Sequence, residues 1–107
     1  MVLTVPSPAV VRSISSDRTI LWLHGEHDLA TTGFLTDTLA DAIAGDQGDV
    51  VVDMSNLTFI DAATIGALLR GRAVLADRSR RLTFRSPPMC AQRVLGVCGL
   101  SGLVEAS

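Results

Sequence analysis

The sequence predicts an α/β fold, a sheet covered by helices, on three observations. Val50-Val51-Val52 is a β-branched run of the kind a strand covered on both faces carries. Soon after it, Ile65, Leu68, Leu69, Ala73 and Ala76 recur at helical spacing. After two initial strand-like segments, strand and helix patterns alternate, which is the order of a sheet with helices laid over it. At 107 residues the chain is expected to be one domain with a single modest core, residues 10–107, behind a flexible leader, residues 1–9, that contains Pro6 and Pro8.

Val10 to Ile14 reads as the first strand and Ser15-Ser16-Asp17-Arg18 as a polar turn. Thr19 to His24 is a second, mostly apolar strand, which Gly25 to Asp28 is expected to end. Thr31 or Thr32 can cap the next helix, whose apolar stripe is Phe34, Leu35, Leu39, Ala42 and Ile43, with Asp37 and Asp41 facing away. Gly45 to Asp49 is a turn cluster that leads into Val50-Val51-Val52. A tight connection then leads to Asp61, whose carboxylate can accept from the free N–H groups at the start of a helix running from about Ala63 to Arg78.

The side of that helix carrying Ala67, Gly71 and Val74 is expected to be an outward, flat face. Arg72 falls on its apolar side and is expected to snorkel along its stem. Leu82-Thr83-Phe84 is the fourth strand, and Pro88 suits the first turn of a last helix that buries Ala91, Val94, Leu95 and Cys98. Gly99 is its expected C-terminal glycine, and Leu103-Val104-Glu105 reads as a short final strand.

Composition bounds the function. No apolar run approaches the roughly 20 residues of a membrane helix, and no secretory signal pattern opens the chain, so a cytoplasmic protein is expected. Cys90 and Cys98 are too far apart along one helix for a local disulfide and read as small core or half-buried thiols. Every basic residue is Arg. Acidic residues dominate up to Asp61, whereas Arg70, Arg72, Arg78, Arg80, Arg81, Arg85 and Arg93 follow it. Aromatic content of 4% and a short basic run, Arg78-Ser79-Arg80-Arg81, argue against nucleic-acid binding and for a solvated turn.

Asp61 and Asp53 invite an enzyme reading, as two carboxylates near strand ends. No His lies between them, although His24 and His27 flank a strand end that folding could bring near. Ser55 and Ser86 lack a recognisable base, and Gly45 to Asp49 lacks the order and ending of a phosphate loop. Asp61 is more economically a helix cap, and Asp53 a partner for turn backbone at the strand's end. The expectation is a binding module, not an enzyme, with no cofactor and no metal.

Three segments then narrow the reading. Phe59-Ile60-Asp61-Ala62-Ala63-Thr64-Ile65-Gly66, Leu23-His24-Gly25-Glu26-His27-Asp28-Leu29-Ala30, and Ser86-Pro87-Pro88 with Val94-Leu95 and Gly99-Leu100 resemble, in this order, the signature of the STAS domain. That fold is shared by sulphate transporter tails and bacterial anti-sigma factor antagonists. The resemblance implies a mixed sheet with the first strand antiparallel at its edge. It implies a cytoplasmic regulator of transcription, stress response included, that binds an anti-sigma factor of the histidine-kinase ATPase fold and frees a sigma factor. It also implies a monomer or weak dimer.

The docking site it implies is Asp28, Asp61, Ala62, Ala63, Thr64 and Ala67. In the family, the kinase phosphorylates a hydroxyl residue at the position of Ala63, which here has no oxygen to accept phosphate. Three readings stand: an antagonist that is always competent to bind, one that uses Thr64 as a weak substitute acceptor, or a scaffold whose partner is no kinase. The alternative class is a sensor domain that binds a small molecule or nucleotide.

Overall fold

The computed structural model describes residues 9–105, and the expected leader lies outside them except for Ala9. The order of elements is β1 (Val10–Ser15), β2 (Arg18–His27), α1 (Thr32–Gly45), β3 (Val50–Ile60), α2 (Ala62–Ala76), β4 (Leu82–Arg85) and α3 (Met89–Val97), followed by a single 3₁₀ turn at Ser101–Leu103. The four strands form one sheet in the order β1-β2-β3-β4. β1 is antiparallel to β2 at the edge, and the remaining pairs are parallel. This is the mixed, helix-covered α/β sheet that the sequence predicts.

Ser16 and Asp17 join β1 to β2 with φ of 51° and 65°. Positive φ at both central residues matches the right-handed twist of a tight hairpin. Side-chain alternation then divides the sheet. Leu21, Leu23, Val50, Val52, Met54, Leu82 and Phe84 join Leu35, Leu39, Ile43, Ile65, Leu68, Leu75, Ala91 and Leu95 of the helices in one core. Ile20, Trp22, Val51, Asp53, Thr83 and Arg85 alternate with the strand residues of that set and so point to the opposite face. There Arg85 stacks over Trp22 with its guanidinium carbon 5.1 Å from the ring centroid, and its Nε donates to Asp53 at 2.7 Å. The apolar run at Val50 is therefore buried on both faces, as a strand inside a sheet requires.

The structure corrects several expected boundaries. β2 does not stop at Gly25, and no tight connection follows Val52. Both strands continue to His27 and Ile60. Between the pairs Trp22↔Asp53 and His27↔Ile60, β3 advances two residues more than β2, so the ladder is bulged. Bulges break the strict alternation on which strand recognition depends, and Gly25 sits among them at φ 73°. Asp53 is consequently in mid-strand. It still bonds backbone two residues on, accepting from the N–H of Ser55 at 2.9 Å and from its hydroxyl at 2.6 Å.

Phe34 is exposed, and α1 buries Leu35, Leu39, Ala42 and Ile43. In α2 the rotation differs from the expected one. Thr64, Ile65, Ala67, Leu68, Gly71 and Leu75 are buried, while Arg72, Ala73 and Ala76 are exposed. Ala67 and Gly71 form no outward face. A Cβ on Gly71 would overlap Leu39 of α1, so the glycine is what lets the two helices approach. Cys98 is exposed, Cys90 is half-buried, and both are free thiols.

Pro88 precedes α3 as its cap residue rather than lying in the first turn. Gly99, at φ 72°, reverses the chain after α3. Leu100 N–H donates to the Leu95 carbonyl at 2.8 Å and Gly99 N–H to the Gly96 carbonyl at 3.1 Å, the double closure of a glycine-terminated helix. The expected last strand is reduced to one parallel bridge, Phe84↔Val104. Among the described residues no helix is long and apolar enough to cross a membrane.

Candidate functional site

Parallel pairing carries the ends of β2 and β3 to the same edge of the sheet, and the pair His27↔Ile60 closes the ladder there. Asp61 N–H donates to the His27 carbonyl at 3.2 Å, which fixes the start of α2 beside the loop that leaves β2. Asp28 and Asp61 thus stand next to each other, one residue beyond that last pair.

Asp61 is the cap that the sequence predicts. Its Oδ1 accepts from the N–H of Thr64 at 2.9 Å and from the Thr64 hydroxyl at 2.9 Å. The Thr64 N–H holds the Asp61 carboxyl below the ordinary aspartate value against some desolvation, and the Thr64 hydroxyl and the N–H groups of Leu29 and Ala63 add to the effect. Asp61 is therefore an anion at neutral pH, spent on the helix start. Asp28 organises the neighbouring loop: its Oδ1 accepts from Ala30 N–H at 2.9 Å, and its carbonyl accepts from Thr31 N–H at 3.1 Å. Thr31 stands at the N-cap position of α1 without a side-chain capping bond. Its hydroxyl donates to the Asp28 carbonyl instead.

Ala62 and Ala63 are exposed in the first turn of α2. They place methyl groups where the helix dipole and free N–H groups face outward. Two residues expected at this surface are not on it. Ala67 is 4% exposed and turned toward α1. Thr64 is fully buried with its hydroxyl engaged by Asp61, so it is not presented as a substitute acceptor. The reason is helical geometry: Thr64 lies one turn before Leu68 on the same helix face and is buried with it and Ile65.

Sequence reasoning missed an apolar surround. Leu29 is 75% exposed and its N–H helps hold the Asp61 carboxylate, while Phe59, two residues before Asp61, is 46% exposed. On another side, Ala62 borders a shallow apolar recess of about 260 Å³ with Val94, Val97 and Cys98 of the α3 end and Arg93. The signal for Leu29 and Phe59 was present as large apolar residues next to strand ends. The period-2 count alone could not say that they point outward.

His27 is a further residue the sequence reading did not absorb. It is fully buried, its Nε2 lies 3.1 Å from the Ala9 carbonyl, and its Nδ1 has no hydrogen-bond partner. A carbonyl only accepts, so Nε2 carries the proton of the neutral ring and Nδ1 is a bare lone pair. Burial lowers the imidazole pKa from its ordinary value, against an opposing pull from the Ala9 carbonyl. The ring ties the start of β1 to the end of β2, directly behind Asp28.

The carboxylates that suggested an enzyme do not meet. Asp53 lies in β3 eight residues before Asp61, roughly 25 Å at strand rise, and on the face occupied by Arg85. Among the described residues no group of three His, Cys, Asp or Glu side chains is arranged to hold a metal ion.

The model of the family described as "Mlab, STAS domain" matches residues 10–105. The structure is similar to the anti-sigma factor antagonist SpoIIAA in its unphosphorylated form, with TM-score 0.83 and 18% identity over 92% of this chain and 88% of that one. It is similar to an anti-sigma factor antagonist from Mycobacterium paratuberculosis, with TM-score 0.82 and 16% identity over 98% and 92% of the two chains. It is also similar to the phosphorylated form of the Bacillus cell fate determinant SpoIIAA, with TM-score 0.76 and 19% identity over 92% and 91%. No curated protein matches the sequence.

Proposed function

This chain belongs to the STAS domain family, and we propose that it is a protein-binding module of the anti-sigma factor antagonist kind, which binds an anti-sigma factor and so frees a sigma factor. The observation that carries the reading is the start of α2. An ionised Asp61 caps the helix from within, while Ala62 and Ala63 leave its first turn bare, with exposed Leu29 on the adjoining loop. Exposed apolar side chains around a helix N-terminus suit the docking of a partner surface that supplies apolar cover and an acceptor.

The docking surface in this reading is Asp28, Asp61, Ala62 and Ala63, widened to Leu29. Its partner is an anti-sigma factor with the histidine-kinase ATPase fold. The absence of a hydroxyl at Ala63 and the burial of the Thr64 hydroxyl make the module competent at all times, governed by its abundance. Phosphate at position 63 would bring about two negative charges onto this surface, and against an apolar or acidic partner that weakens docking.

The test is a titration of anti-sigma kinases from the source cell against the wild-type chain and D61A. Binding by the wild type, weakened in a D61A chain that still folds, is the expected result, and equal binding removes Asp61 from the surface. With ATP added and intact mass as the readout, the wild type should gain no phosphate, A63S should gain one, and T64A should match the wild type. Efficient phosphate transfer to Thr64 of the wild type would replace constant competence with an ordinary phospho-switch.

A further inference from the structure

The opposite end of α2 carries a feature that docking at Asp61 does not use. The helix ends in a tight reversal at Ser79, φ 58°, where Ser79 N–H donates to the Ala76 carbonyl at 3.0 Å and Arg80 N–H to the Leu75 carbonyl at 2.9 Å. This turn throws Arg80 and Arg81 back beside Arg72 of the helix. The three arginines line one recess of about 350 Å³ together with Ala76, Leu82, Thr83, Gly102 and Leu103.

The arginines of this recess make no direct ion pair. Among the described residues the ion pairs are Arg12–Asp46, Arg18–Glu105 and Arg85–Asp53, so Arg72, Arg80 and Arg81 have no carboxylate partner. Arg80 is anchored by carbonyls: Nε donates to Gly48 at 2.8 Å and Nη1 to Ile43 at 2.8 Å, while its buried Nη2 has no acceptor. The Asp46 carboxylate feels the Arg80 charge but bonds to Arg12 and Thr19 instead, so the direct partners of this guanidinium are dipoles, and a cation so placed favours a further anion. Asp49, just before β3, is engaged by the backbone N–H of Arg81 at 2.9 Å. The α2 C-terminus contributes about half a negative charge, which three guanidinium groups outweigh. Its last carbonyls are already bonded by the reversing chain.

We propose that this recess binds a small phosphate monoester. Arg72 and Arg81 hold the phosphate as planar, bidentate donors, Arg80 supplies fixed positive charge behind them, and the Leu82, Leu103 and Ala76 side chains cover an apolar body. The site lies at the far end of α2 from Asp61 and does not rest on the docking reading.

The probes are inorganic phosphate and phenyl phosphate, titrated calorimetrically into the full chain in a phosphate-free buffer, with sodium chloride at matched ionic strength as the reference. The comparison protein is the double variant R72Q/R81Q, whose two side chains are exposed and make no hydrogen bond within the described structure, so its fold should be kept. The expected result is saturable binding of phenyl phosphate, at least about tenfold weaker in the double variant. Saturable binding of inorganic phosphate that the double variant loses also supports the site. No heat beyond that of sodium chloride, or equal binding by wild type and variant with unchanged melting temperatures, overturns it.

Discussion

At its N-terminal end α2 begins on a half-buried carboxylate cap and two exposed methyl groups. At its C-terminal end it finishes on a reversed turn with three arginines that make no ion pair among the described residues. Between them, Ile65, Leu68, Gly71 and Leu75 are committed to the core and to α1. The contrast teaches where such a small domain has room for function. The fifteen residues of α2 share with α1 and α3 the sealing of one side of the sheet, and the requirement relaxes where the helix leaves the core. The N-terminal end offers exposed methyl groups beside the Asp28 and Asp61 carboxylates, which suit a protein surface. The arginine-lined end offers a concave recess, which suits a small anion.

Substitution in the middle should show the largest effect. Leu68 is fully buried between α2 and the sheet, so L68A should lower unfolding free energy by about 2–5 kcal/mol in urea titrations. A loss well below that range would mean that the middle of the helix is not the sealed part. At the N-terminal end the cost should be smaller. T64A removes one hydroxyl bond to Asp61 but keeps the N–H bond, so a loss of about 0.5–1.5 kcal/mol is expected in the same assay.

The smallest effect should be a slope with pH. His27 titrates below its ordinary value in the folded chain because it is buried, so the unfolded chain binds more protons as pH falls through that ordinary value. Stability should be complete above pH 6.5, decline as pH falls below it, and level off below the folded pKa. Replacing His27 with Gln should flatten this part of the curve. Asp61, held low by its cap bonds, acts in a separate window: its contribution is present above pH 3.8 and fades as pH falls through the lower folded value.

The sequence made most of this helix legible, and its limits are physical. The Asp61 cap could be read because capping is local: one side chain, three residues, one bond. Burial of Leu68 and Ile65 followed from periodicity. The rotation that turns Ala67 and Gly71 inward was not legible, because α2 touches both the sheet and α1. A helix of mostly apolar and small residues, charged only at Arg70 and Arg72, leaves little contrast by which to find its wet side. Bulges in β3 hid the strand's second half in the same way, since each extra residue shifts alternation by one.

The Arg80 and Arg81 cluster was visible as a basic run and read as a solvated turn. Its convergence with Arg72 depends on the Ser79 reversal, which no residue type announces, because Ser adopts positive φ only where its surroundings require it. Leu29 and Phe59 were visible as residues and not as a surface, because their exposure follows from where the ladder ends.

The central claim is that the first turn of α2 meets the partner, and calorimetric titration of the anti-sigma factor with the A63E chain tests it most directly. Glu in the first turn of a helix suits the dipole, so the unfolding midpoint should not fall. The account predicts at least about tenfold weaker binding, near 1.4 kcal/mol, with that midpoint kept. Wild-type affinity in a folded A63E chain would contradict it.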